Sequence, residues 1–339
     1  MSERGLTRGR FVAGAAGGAL ALASGGLIEV LRRRSAFGYD GQELLGGTLQ
    51  PVTPTDDFYV VTKNLVDPRV DRDAWRLEIS GLVERPRTLR FEDLGSLPSV
   101  EQETTLECIS NGVGGGLLSN AVWAGVPLRA LIEEAGPKRG AKRLFFHAAD
   151  GFTHSTPLER GMQRTTLLAV RMNGELLTDR HGFPARLIVP GAYGELSVKW
   201  IDRIELIDDG RKGYYEQQGW RAERVHTMSR IDLPAEGKAL RASAPATLRG
   251  VAFAGDRGIA RVEASTDGGR SWRRAKLDYA PSKLTWALWS LPWAPREPGT
   301  YELVVRATDG EGELQSTVED NSVPDGASGL HRIAVTVQA

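Results

Sequence analysis

The sequence predicts an α+β domain followed by an all-β immunoglobulin-like sandwich, and three observations carry that prediction. The chain has 339 residues, more than the roughly 250 that one hydrophobic core supports. Between about 54 and 232, short strand and helix patterns alternate without a regular βαβ repeat, which indicates an α+β arrangement. After about 233, seven short strand patterns separated by turn signals follow one another, as in a two-sheet sandwich.

In the first region, 75–79 alternates as a half-buried strand and stops at Gly81. Residues 91–94 read as a short helical segment closed by Pro98, and 103–108 as a strand leading into Asn111-Gly112-Val113-Gly114-Gly115-Gly116. Residues 126–135 have helical spacing and end at Gly136-Pro137, a stop signal. Residues 143–146 and 185–189 read as buried strands, and 198–207 as an alternating strand that closes the region before Asp208-Asp209-Gly210. The sandwich strands are expected at 246–253, 259–266, 271–277, 284–291, 300–307, near Leu314 and at 330–337. Asp267-Gly268-Gly269 and Asp309-Gly310-Glu311-Gly312 are the hairpin signals between them.

Forty-three basic residues balance forty-three acidic ones, so no global field favours nucleic acid. A single cysteine excludes an intrachain disulfide. The histidines have no H-E-x-x-H or other close ligand spacing, which argues against zinc. At the N-terminus, Arg4, Arg8 and Arg10 precede an apolar Gly/Ala-rich run over 11–31, and Arg32, Arg33 and Arg34 follow it. Residues 1–34 therefore read as an export signal or membrane anchor, with a buried helix as the alternative, and 35–53 as a linker. Thr7-Arg8-Gly9-Arg10-Phe11-Val12 resembles a twin-arginine export signal with a glycine between the arginines. These features place the protein in the cell envelope, membrane-anchored if the segment is not cleaved.

Three constellations bear on chemistry. Cys108 ends a strand at the edge of the glycine loop, where a thiolate is a strong ligand for thiophilic metals, although a lone cysteine is more often a buried small hydrophobe. The loop 112–116 lacks the third glycine of a dinucleotide fingerprint, since Leu117 occupies that position. It reads as a flexible wall beside a bulky ligand or as a simple turn. In His181-Gly182-Phe183-Pro184-Ala185-Arg186 and Ser197-Val198-Lys199-Trp200, Arg186 and Lys199 supply the fork and point charge that hold a phosphate. The same residues also suit an ordinary surface strand pair. His154-Ser155 near Asp150 suggests a hydrolase only superficially, because triad members converge from separate segments.

From about Pro54 to the C-terminus the chain resembles the sulfite oxidase family, in its bacterial branch. The motifs that carry the resemblance are Thr105-Leu106-Glu107-Cys108, Trp123-Ala124-Gly125-Val126-Pro127-Leu128, His181 to Arg186 and Ser197 to Trp200. In the sandwich they are Ser265-Thr266-Asp267-Gly268-Gly269-Arg270-Ser271-Trp272 and Trp286-Ala287-Leu288-Trp289. The resemblance implies a molybdopterin-binding domain over 54–232 and an immunoglobulin-like dimerisation domain over 233–339. It also implies a molybdenum-molybdopterin cofactor with Cys108 as the protein ligand to the metal, cycling between Mo(VI) and Mo(IV) as an oxygen atom moves to or from substrate. Lys63, Asn64, Asp150, His181, Arg186, Ser197, Val198 and Lys199 fall on the family's cofactor-binding positions.

Around the metal ligand the chain departs from true sulfite oxidases. Lys63 stands where that group carries a substrate-holding arginine, Ile109-Ser110-Asn111-Gly112-Val113 replaces an arginine-bearing segment, and Trp220 stands where it has an active-site tyrosine. Asn111 and Trp220 thus become candidate substrate contacts. Losing guanidinium and phenol groups weakens the grip on a small dianion, so sulfite becomes a doubtful substrate and a neutral or larger small-molecule oxygen donor or acceptor is expected as readily. No C-x-x-C-H haem motif is present, so electrons are expected to pass to a separate protein, a c-type cytochrome or a membrane quinol protein. A homodimer through the sandwich is expected. The competing reading is a non-catalytic envelope binding module that keeps the fold.

Overall fold

The computed structural model describes residues 50–220, 224–320 and 323–339. The expected export signal and most of the linker lie outside them. Val61–Asp67 forms a unit separate from the main body, which holds the other described residues.

The first half of the main body contains β1 (Arg76–Gly81), β2 (Arg87–Arg90), α1 (Phe91–Leu94), β3 (Val100–Glu107), β4 (Leu118–Pro127), α2 (Leu128–Ala135), β5 (Arg143–Ala148), β6 (Thr153–Pro157), α3 (Leu158–Gly161), β7 (Leu167–Met172), β8 (Glu175–Leu176), β9 (Arg186–Ile188) and β10 (Ile201–Ile207). Two sheets form from these strands. One runs β2-β1-β10-β5-β6, and the other runs β3-β4-β7-β8 with β9 paired to β7. The helical spacing over 126–135 is realised from Leu128 onward, because Val126 and Pro127 still pair with β7. Leu128, Leu131, Ile132 and Ala135 are buried on the face of α2 that covers the core. Each of the three large side chains contributes about 1.5–3 kcal/mol of burial.

The strand expected over 198–207 begins only at Ile201. Trp200 lies at φ 53, outside the extended region, and the chain before it hydrogen-bonds irregularly, Leu187 N to Val198 O and Ile201 N to Ala185 O. Residues 197–200 are thus a loop.

The second half contains β11 (Met228–Leu233), β12 (Ala239–Arg241), β13 (Ala246–Phe253), β14 (Ile259–Ser265), β15 (Arg273–Arg274), β16 (Lys276–Tyr279), β17 (Ala287–Trp293), β18 (Gly299–Asp309) and β19 (Arg332–Gln338). A β11-β13-β17-β16 sheet and a β12-β19-β18-β14-β15 sheet share a core that includes Leu248, Val262, Trp289, Leu303 and Val335. Four expectations change here. Residues 271–277 are not one strand: β15 pairs with β14 and β16 with β17, the chain changing sheets at buried Ala275. Leu314 makes only an isolated bridge to Thr308, because the Asp309 carboxylate takes the amides of Glu311 and Glu313 and folds the segment back as a turn. The last strand starts at Arg332, and β11 precedes 233 while pairing with β13.

The sheets of the two halves meet at β3. Thr105 N donates to Leu284 O (3.0 Å) and Thr105 Oγ1 accepts from Trp286 N (2.8 Å). Ile109, Leu118 and Tyr193 from the first half pack in one cluster with Val251, Phe253 and Trp286 from the second.

Candidate active site

Cys108 directly follows β3 and is buried. Its amide donates to Leu117 O (3.0 Å) and its carbonyl accepts from Asn111 N (2.9 Å), so backbone bonds close the loop at both ends. Burial pushes the Cys108 thiol up to about 12, opposed by hydrogen bonding at Ser110 and reinforced by the nearby Glu195 carboxylate. At neutral pH the proton stays on Sγ unless a thiophilic cation replaces it.

Tyr59, which motif reading missed, feels the charge of both Cys108 and Arg186. Burial raises its hydroxyl well above the usual range, Cys108 adds to that, and Arg186 acts in the opposite direction. The Arg186 side chain is buried, with Nη1 donating to His181 O (3.2 Å) and Nη2 to Ser197 O (3.0 Å). Its guanidinium lies 4.9 Å over the Trp123 ring, a cation–π contact. Burial lowers Arg186 only to about 10, so it remains a cation, and its Nε is buried without a partner among the described residues. His181 is held neutral by burial, which lowers it to about 3. Its Nε2 lies 2.9 Å from Thr55 O, which assigns the ring proton to Nε2.

Gly182 lets the two motifs meet. It sits at φ +101, and a Cβ there would come within 3.0 Å of the Lys199 backbone, so only glycine fits without displacement. Lys199 Nζ donates to Arg180 O (3.1 Å) and lies 4.3 Å from the Trp200 ring. Ser197 Oγ accepts from Val189 N, and Val198 is buried behind it. Asp150 caps the β5–β6 turn through Phe152 N (2.9 Å), and Ala149 N of that turn donates to Trp200 O (3.0 Å). The fold thereby brings Asp150, His181, Arg186 and 197–199 together. Lys63 and Asn64 lie in the separate Val61–Asp67 unit, where Lys63 Nζ donates to Asn64 Oδ1 (3.0 Å).

A cavity of about 430 Å³ is lined among others by His154, Arg160, Glu195, Lys212, Glu216 and Trp220. Trp220 stacks on Tyr215 with ring centroids 4.0 Å apart. Burial raises Glu195 to about 8, and its Oε2 has no partner among the described residues. Ser155 Oγ accepts from Arg143 (2.6 Å) and donates to Glu216 (3.1 Å), while His154 Nδ1 faces Ser155 O (2.9 Å). A serine bonded to a carboxylate, with no imidazole at its hydroxyl, is not an activated nucleophile.

The glycine loop has a definite neighbour. A Cβ on Gly114, which lies at φ +75, would come within 2.4 Å of the His331 ring, and Arg230 Nη1 donates to Gly115 O. The expected flexible wall is therefore packed against the sandwich. Asn111 spends both ends of its carboxamide on the loop, Nδ2 on Glu107 Oε1 (2.8 Å) and Oδ1 on Leu117 N (2.9 Å). His331 accepts Ile231 N on Nδ1 (3.0 Å), and burial first, then the Arg230 charge, lowers it from 6.5 to about 4. Below pH 6.5 the unfolded chain binds a proton that folded His331 refuses until about pH 4, so stability falls across that window. Replacing His331 by leucine is expected to flatten this acid-side decline, read as urea midpoints at several pH values. His181 leaves a residual slope of the same sign.

These features suit a bulky group with an anionic phosphate end and a thiophilic metal. The donor set for the first is Arg186 with its idle Nε, Lys199 and the backbone of 197–199, and for the second the buried thiol of Cys108. The comparisons with known proteins agree. Residues 64–215 match the family described as oxidoreductase molybdopterin binding domain, and 222–337 match the Mo-co oxidoreductase dimerisation domain. Sulfite oxidase of Arabidopsis thaliana is 30% identical over 78% of this chain and 82% of its own length. The chain belongs to the sulfite oxidase family.

Other family relatives include the NADH nitrate reductase of Solanum lycopersicum, 30% identical over 76% of this chain. The chain spans only 35% of that protein's length. An uncharacterised oxidoreductase of Bacillus subtilis, YuiH, is 35% identical over 54% of this chain and 91% of its own. The crystal structure of the sulfane dehydrogenase SoxCD from Paracoccus pantotrophus superposes with a TM-score of 0.76 at 24% identity, covering 100% of this chain and 96% of that one. It shows that the described residues share the fold of that chain. The protein is accordingly a molybdenum-cofactor oxidoreductase of that family.

Proposed function

We propose that the protein is an envelope enzyme moving an oxygen atom to or from a small molecule that is not sulfite. The observation carrying this reading is the buried Cys108 at the end of β3 together with the buried Arg186, whose guanidinium is held by the carbonyls of His181 and Ser197. In this reading Cys108 binds the metal. Arg186, Lys199, Ser197 and Val198 hold the phosphate end, while neutral His181 and Asp150 contact the pterin. Bound there, molybdenum-molybdopterin supplies two-electron oxygen-atom chemistry. The protein's part is to hold the cofactor, exclude water around Sγ and shape the approach.

The described wall of that approach is mixed in charge, with Arg160 and Lys212 on it. Glu195 and Glu216 lie on it together with the Tyr215-backed ring of Trp220. We favour a neutral oxygen donor or acceptor because Lys63 and Trp220 stand where sulfite oxidases carry an arginine and a tyrosine, which weakens the grip on a small dianion. We place the enzyme in the envelope on the strength of the basic and apolar pattern over 1–34. Among the described residues no helix is long and apolar enough to cross a membrane. The match to a dimerisation domain supports a homodimer, and a separate electron-transfer protein, a c-type cytochrome or a membrane quinol protein, completes the cycle.

Purified holoenzyme assayed with an artificial electron carrier against sulfite and a panel of S- and N-oxides tests the proposal. Turnover is expected on a neutral oxide and not on sulfite. Efficient sulfite oxidation would overturn the substrate reading, and protein without molybdenum from a cofactor-competent host would overturn the assignment itself.

A further inference from the structure

Arg230 is nearly inaccessible, with its side chain 1% exposed, yet it belongs to β11 of the sandwich. Its Nε donates to Asp232 Oδ1 (2.6 Å) and its Nη1 to Gly115 O, in the loop that leaves Cys108. Loop residue Asn111 holds Glu107 (2.8 Å), the neighbour of Cys108, and Arg230 also acts electrostatically on that carboxylate. On the same loop, Gly114 lies against His331 at the start of β19. Upstream of Cys108, Thr105 is bonded to Leu284 and Trp286 of the sandwich, and downstream Ile109 packs on Val251, Phe253 and Trp286. The segment 105–115 is therefore gripped from the sandwich on both sides of the one cysteine.

We infer that Arg230 is a positioning residue for Cys108, so that the sandwich sets the geometry of the thiol offered to the metal as well as serving as a dimerisation domain. The physical case rests on cost. Burying a guanidinium is costly unless its charge and donors are met; here Nε meets one carboxylate of its own strand and Nη1 one carbonyl of the cysteine's loop, while Nη2 is buried without a partner among the described residues. A 112–116 turn rich in glycine has little stiffness of its own, so its shape follows from the partner that grips it. Groups that orient a metal ligand without touching the metal tune its geometry and affinity.

The role of Cys108 as ligand rests on the proposed function; the loop itself can be tested without the cofactor. In cofactor-free protein, Arg230→Met is expected to raise the rate of Cys108 alkylation by iodoacetamide about tenfold or more, since losing a charged hydrogen bond eases local opening by that order. Arg230→Lys, which keeps the charge and a donor, is expected to restore most of the protection. In molybdenum-loaded protein reduced with dithionite, Arg230→Met is expected to shift the Mo(V) electron paramagnetic resonance signal. If Arg230→Met does not fold, Asp232→Asn loosens the same guanidinium and should move both readouts in the same direction. Unchanged alkylation and an unchanged Mo(V) signal, with only a lowered melting temperature, would make Arg230 merely structural and overturn the inference. Failure to bind molybdenum would bear on the proposed function alone, leaving the alkylation result to decide this one.

Discussion

Replacing Cys108 by serine is expected to leave the fold and most of the pterin in place while reducing oxygen-transfer turnover by more than about a hundredfold. Substitutions beside a metal typically cost about 10–100-fold, and loss of the ligand itself exceeds that range. The fold survives because the position is held by backbone bonds, Cys108 N to Leu117 O and Asn111 N to Cys108 O, which serine keeps. The side chain is small and its burial shallow in volume, so an oxygen in place of sulfur makes no cavity. A hydroxyl is a harder and far less acidic donor than a thiol, so it does not replace a thiolate at a thiophilic metal. Turnover with an artificial electron carrier, alongside pterin and molybdenum content, checks this outcome. Undiminished turnover in the serine variant ends the assignment of Cys108.

The second large effect is expected at Arg186. Arg186→Met leaves the carbonyls of His181 and Ser197 without their donor, at a cost of about 1–3 kcal/mol for each buried orphan. It also removes a buried cation whose Nε has no partner among the described residues. The variant is expected to melt at a lower temperature and to purify with less than about a tenth of the normal pterin, because charge-assisted contacts are the strong ones in phosphate binding. Arg186→Lys restores the charge without the fork, so its stability should recover more than its cofactor content. A methionine variant carrying full pterin would remove Arg186 from the phosphate site.

Much of the architecture was legible because its causes are local. The apolar spacing of α2 and its Gly136-Pro137 stop were readable. So were the Asp-Gly turns and the alternation of β13, β14 and β18, since each depends on neighbours a few residues apart. Where expectation and structure part, a distant group is responsible. Residues 271–277 read as one strand, but Ala275 faces the sandwich core while its flanks join different sheets. The 197–200 segment alternates like a strand, but Trp200 turns aside to bond Asp179 O through its indole (2.8 Å). Tyr59 and Glu195 carry no motif of their own. The only hint for Glu195 was an acid set within an otherwise apolar run, and for Tyr59 its place in an aromatic pair just ahead of Lys63 and Asn64.

Arg230 makes the same point at the site. In the sequence it is one basic residue among forty-three, in a strand whose pattern gives it no role. Its burial arises because a carbonyl from a loop 115 residues earlier converges on it.

By itself the sequence determined that Cys108 is the sole thiol, that it ends a strand before a glycine loop, and that two basic motifs accompany it in the family's order. Tertiary structure alone decided which charges are buried and toward what. It buried Arg186 against the carbonyls of His181 and Ser197, packed the glycine loop on Arg230 and His331, and put Glu195 on the cavity wall. The reason is that a buried charge persists only where donors or acceptors meet it. In this chain those partners come from segments that no local pattern connects.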